Sequence, residues 1–209
     1  MAINLRNLYA KAAFMRPDVE VARVGFAVQE GVREVCRRTS LARATATVTL
    51  DLGGNTLALS LTDANLLSVH RVTFLETGAT TATELSPTTF KDLEGQDATT
   101  SAPVYYAQQG DTLQVYPATD TGGTATVYYS YVPATELDSV DLPETAVTAI
   151  EAKAEAMLLR LPGEPYQNMG MAQERERDFH RAINNLKAIA FYGETGDVIT
   201  VSASVPGAP

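Results

Sequence analysis

The chain has 209 residues, a single cysteine and a formal net charge of −9. That length holds one domain, or one domain with an insertion, and 45% hydrophobic residues suffice for a real core. The lone Cys36 excludes an internal disulfide framework and a cysteine-rich zinc site, and the acidic balance is opposite to what gripping DNA phosphates requires.

Along the chain, no apolar run approaches the ~18–20 residues that span a bilayer. The first residues carry Arg6 and Lys11 among their apolar positions. They therefore read as mature protein used inside a cell, not as a signal peptide. Residues 4–15 predict a shorter helix or an arm, with Leu5, Leu8 and Ala12 on one side.

Residues 18–39 predict the first long helix. Val21, Val24, Val28, Val32 and Val35 recur at spacings of three and four, which is one helical stripe. Arg33, Arg37 and Arg38 fall at its C-terminal end, where the helix dipole favours cations. Its β-branched residues lower its intrinsic helicity, so it depends on packing.

From about Thr45 to Val132 the pattern alternates with period two. The stretches before and after Gly53-Gly54-Asn55 predict a hairpin. Residues 68–76, 103–106, 112–116 and 124–131 predict further strands, and Pro87 opens a short helical turn. Tyr105, Tyr106, Tyr116, Tyr128, Tyr129 and Tyr131 recur here and suit sheet faces.

Helical spacing returns after Pro143, with Val147, Ile150, Ala154, Met157, Leu158 and Leu161 as the stripe. Another helix runs from about Gln167 to Tyr192, with Ala172, Phe179, Ile183, Leu186 and Ala190 inward. The expected fold is α+β: a bundle of three long helices with an antiparallel β-domain inserted after the first. Residues 1–43 and 133–192 form the bundle, 44–132 the inserted domain, and 193–209 an extended C-terminal arm. In that arm Val198, Ile199, Val201 and Val205 alternate with polar residues, which suits a segment that orders on docking. A plain disordered tail is the other reading.

Charge follows the same layout. Residues 1–43 carry +4, residues 44–142 carry −10 and residues 143–209 carry −3. An acidic surface repels DNA and lets it slide, or simply keeps the protein soluble.

No phosphate loop, dinucleotide fingerprint or zinc-protease pair is present. His70 and His180 lie far apart, and Cys36 sits among valines as a packed small residue. Glu174 and Asp178 share a helix face but interleave with Arg175, Arg177 and Arg181, as a solvated face does. The chain reads as a non-enzyme with no catalytic residues, no cofactor and no metal.

The order of pieces resembles the head-to-tail adaptor (connector) proteins of tailed bacteriophages, the tail tubular protein A type. The pieces are AVQEGVREVCRRT at 27–39, LLSVHRV at 66–72, LSPTT at 85–89, GDTLQVYP at 110–117, TVYY at 126–129, DLP at 141–143 and LPGE at 161–164. The likeness rests on their order and spacing over most of residues 20–190. It implies a structural virion protein at the head-tail junction, assembled in the bacterial cytoplasm. It implies a ring, of twelve copies, docked under the portal protein and joined to a tail tube or nozzle protein. Double-stranded DNA would pass through the ring without sequence-specific binding, and no membrane is involved. On this reading Val198, Ile199, Val201, Val205, Arg33, Arg37 and Arg38 are partner-binding residues. Other readings are a tail-completion or nozzle protein, a carbohydrate-binding β module using the tyrosines, and an enzyme using Glu174 and Asp178.

Overall fold

The computed structural model describes residues 2–15, 18–59, 64–94, 101–110, 112–133 and 139–195. A short strand β1 (Ala2–Asn4) leads into α1 (Leu5–Met15) and then α2 (Val21–Thr39). Strands β2 (Arg43–Leu50), β3 (Thr56–Ala58), β4 (Ala64–Glu76) and β5 (Thr83–Pro87) follow. Then come α3 (Phe90–Glu94), β6 (Tyr105–Gln109), β7 (Thr112–Tyr116), β8 (Gly123–Pro133) and β9 (Ser139–Asp141), and finally α4 (Ala146–Leu159) and α5 (Met169–Thr195).

The expected bundle of three long helices with an antiparallel β-domain is corrected by this architecture. The fold is mixed α/β, with five mostly short helices and a seven-stranded, barrel-like sheet among the described residues. Its strand order is β2-β8-β4-β5-β6-β7-β3, and β5 runs parallel to β6. A parallel pair needs a crossover rather than a tight turn; the segment containing α3 supplies it. A separate ribbon pairs β1 with β9, Ile3 opposite Val140.

The helix stripe survives in part. Val24, Val28, Val32 and Val35 are buried, each contributing about 1.5–3 kcal/mol of transfer free energy. Val21 is 68% exposed although Val19 before it and Val24 after it are buried, so it falls outside the packed stripe. Ser40 ends α2 in a left-handed conformation and donates its N–H to the Cys36 carbonyl, turning the chain into β2.

The helix α4 is not a stripe helix. Ala146, Ala149, Ile150, Ala152, Ala154, Ala156, Leu158 and Leu159 are all buried, because α2 and α5 both pack against it. Small residues allow that close approach. At Gly31 of α2 an added Cβ would lie 2.9 Å from the Ile150 carbonyl oxygen. Phe179, Ile183 and Leu186 of α5 complete this core, while the side chain of Ala190 lies outside the described residues.

A second core fills the sheet, around Leu57, Val72, Phe74, Leu113, Val115 and Val127. Tyr131 packs against both cores. Strand β8 alternates cleanly up to Tyr129; Ser130, Val132 and Pro133 are then buried, and Arg33 of α2 donates to the Pro133 carbonyl at 3.1 Å.

The Gly53-Gly54-Asn55 hairpin does not form. Strand β2 pairs over its full length with β8, from Arg43 opposite Ser130 to Leu50 opposite Gly123, and β3 pairs with β7. The turn instead bridges the two ends of the sheet. Gly53 donates to the Thr119 carbonyl at 2.7 Å, and Thr119 donates to Gly54 at 3.1 Å. The glycine signal specified a reversal, and the eight-residue ladder to β8 decided the partner.

Candidate functional site

Several charged side chains of the helical part pair with one another. Lys153 of α4 donates to both carboxylate oxygens of Glu176 at 2.9 and 3.2 Å. Arg160 approaches the same carboxylate at 3.2 Å, and the His180 Nε2 lies 3.8 Å from it. Burial pushes the Glu176 carboxyl up, but the Lys153 hydrogen bond and the charges of Lys153, Arg160 and His180 outweigh it and hold it below the usual carboxylate range. Lys153 and Arg38 both stand over the Phe179 ring, at 5.1 and 5.3 Å.

The three arginines expected to meet a partner are drawn into this scheme. Arg33 pairs with Glu30, Arg37 reaches Glu34 at 3.7 Å, and Arg38 reaches Glu34 at 2.6 Å. Arg37 remains 54% exposed. The other four expected partner-binding residues, Val198, Ile199, Val201 and Val205, lie outside the described residues.

No cluster of three His, Cys, Asp or Glu side chains that could hold a metal occurs among the described residues. Glu174 is exposed, and Asp178 sits 3.4 Å from Arg175 and 3.6 Å from Arg181. Two residues of that run join α5 to α4: Arg175 reaches Glu155 at 2.6 Å, and Glu176 pairs with Lys153 and Arg160. Helical spacing sets Glu176 off the face shared by Glu174 and Asp178, and its place three residues before Phe179 was the signal for its inward role. Cys36 is fully buried and its thiol is pushed up to about 12 by desolvation, so it is not an activated nucleophile. His70 is one of two extra residues, with Leu67, where β4 slips register against β8.

Two of the strand tyrosines are exposed, on strands that are not neighbours. Tyr105 and Tyr128 are 41% and 38% exposed, whereas Tyr106 is buried. Tyr105 lies on β6 and Tyr128 on β8, with β4 and β5 between them, and Arg71 covers the Tyr128 ring at 5.4 Å.

What the surface does offer is apolar. An open groove of about 340 Å³ runs between α2 and α4, lined by Ala22, Arg23, Phe26, Met157, Leu158 and Leu161. Phe26 in its wall is 59% exposed. A second groove, of about 350 Å³, lies between α1 and the start of α4 and includes Ile3, Leu8 and Val147. Neither is lined by a nucleophile and base in pairing distance.

The family model for the SU10 adaptor protein matches residues 4–202. The chain belongs to the SU10 adaptor protein family. The match spans both cores, so the phage adaptor resemblance of the sequence holds for the whole described fold. As an SU10 adaptor protein, the chain is a phage virion component with a structural role. No curated protein matches it. No described helix is long and apolar enough to cross a membrane.

Proposed function

We propose that this chain is a head-to-tail adaptor that closes into a ring, of twelve copies, beneath the portal protein and joins it to a tail tube or nozzle protein. The observation that carries the reading is family membership over nearly the whole chain. In this proposal the chain catalyses nothing; it works by symmetric docking, and double-stranded DNA passes through the ring during packaging and ejection. Ring subunits need side contacts of two different surfaces that close on themselves. The grooves beside α2 and α1 are suited to such contacts.

We assign residues 1–43 and 133–192 to a helical part, 44–132 to an inserted β-domain and 193–209 to a docking arm. Val198, Ile199, Val201 and Val205 are the arm's contact residues in this reading, and Arg33, Arg37 and Arg38 line a partner surface. The pairing of the arginines with Glu30 and Glu34 makes their contribution one of shape and position more than of free charge. Asp51, Glu76 and Asp120 gather at one end of the sheet, where β2, β4 and β8 meet. An acidic face there would lower friction for passing DNA.

Co-sedimentation with the portal ring of the same phage tests the reading. The expected result is a saturating complex with equal copies of adaptor and portal subunits. An adaptor that stays at the top of the gradient at every ratio overturns it.

A further inference from the structure

We infer that the open edge of β2 is an acceptor site for a β-strand formed by residues 198–205 of a second copy of this chain.

The two end strands of the sheet, β2 and β3, lie side by side without pairing. Strand β2 has eight residues and β3 has three, so most of the outer edge of β2 has no partner strand among the described residues. Such edges usually carry lysine, proline or a bulge that blocks further pairing. This one reads RATATVTL, is charged only at Arg43 and registers with β8 without a bulge. The inner face opens in the same direction. Leu50 is buried beside the turn, while Val48, Ala46 and Ala44 are only half-buried. Among the described residues, small side chains at the half-buried inner positions leave room for a further strand.

Residues 198–205 read VITVSASV. In extended form one face carries Ile199, Val201, Ala203 and Val205, and the other Val198, Thr200, Ser202 and Ser204. The apolar face complements the half-covered Ala44, Ala46 and Val48; the hydroxyls extend the outer threonine row of Thr45, Thr47 and Thr49. No residue from 198 to 209 is charged. Two copies that each carry −9 therefore meet through neutral segments.

The tether is short. Asn168 donates to the Leu159 carbonyl, so α5 starts at the end of α4 and runs back along it. Its C-terminal turns thus lie at the end where α4 begins and α2 leads into β2. Only Gly196 and Asp197 separate Thr195 from Val198, a span of about 10 Å at ~3.3 Å per residue, so the acceptor edge of the second copy lies that close to the end of α5. Donor strand and acceptor edge are different surfaces of one chain, so the contact is heterologous and each copy uses both. This inference rests on the ring reading for its choice of a second copy.

Disulfide trapping in full-length chains tests it. Chains with Thr45→Cys, Thr47→Cys or Thr49→Cys are mixed with Ser202→Cys chains on the portal ring and oxidised; three acceptor positions cover the register. Buried Cys36 stays out of exchange. The expected result is a band at twice the monomer mass from at least one mixture, lost when Val201→Asp is added to the Ser202→Cys donor. Assembled rings with no trapped pair overturn the inference and leave the ring reading standing. Linkage only within one chain, seen when both cysteines are placed together, also overturns it. Trapped pairs without ring assembly support the strand contact and count against the ring. Neither assembly nor trapping sinks both.

Discussion

Lys153 and Glu176 form a two-pronged ion pair between α4 and α5, at 2.9 and 3.2 Å, with side chains only 15% and 18% exposed. Phe179 lies under the same lysine, and Arg38 brings α2 to the other contact on that ring. Three helices thus meet at one polar knot above an apolar core. Removing one partner strands the other in a half-buried place. Lys153→Met and Glu176→Gln are each expected to cost about 1–3 kcal/mol, read as a lower urea midpoint with unchanged slope. A midpoint equal to that of the parent protein would contradict this.

The same pair makes stability depend on acid. The Glu176 carboxyl is held below its ordinary range in the fold. Its contribution is therefore complete above the unfolded-state carboxylate range and is lost as pH falls through the lower, folded value. Denaturant titrations should show the parent and Glu176→Gln furthest apart near neutral pH and converging below the ordinary carboxylate range. A gap that widens on acidification would be inconsistent with this sign.

Two glycines of α2 should respond in opposite directions. At Gly31 a Cβ would lie 2.9 Å from a backbone carbonyl of α4 that cannot move alone; at Gly25 nothing lies within 4 Å. Gly31→Ala is expected to lose about 1–3 kcal/mol by forcing the helices apart. Gly25→Ala is expected to gain about 0.5–1 kcal/mol from helix propensity. Thermal melts of the two variants decide it; equal shifts of the same sign would refute the crossing geometry.

Gly123 is the corresponding point in the sheet. An added Cβ would meet the Leu75 carbonyl oxygen at 2.4 Å and the Phe74 ring at 2.5 Å. It pairs with Leu50 on one side and Glu76 on the other. Gly123→Ala should cost more than about 2 kcal/mol, and hydrogen exchange should show lost protection along β8. Parent-like protection there would contradict the account.

The helices α2 and α5 were legible because their apolar residues recur on one face, from Val24 to Val35 and from Ala172 to Leu186. The all-round burial of α4 was not, because alanine fits both a core and a surface and carries no stripe. The sheet's strands were mostly legible from alternation, but apart from β6 and β7, which adjoin across Gly110, their partners were not. Gly53-Gly54 marks a reversal equally well for a hairpin and for a turn across a barrel seam. The parallel β5–β6 pair and the β1–β9 ribbon join residues distant in sequence and too short to show a pattern. At the surface, the arginines were legible as charges but not as partners of Glu30 and Glu34, which lie three or four residues before them on the same helix.

The central claim is a ring on the portal. Electron-microscopy class averages of this chain mixed with its phage's portal ring test it most directly. The account predicts a closed ring stacked coaxially on the portal, with a continuous central channel. Portal rings that remain bare, with the chain dispersed as single subunits, would contradict it.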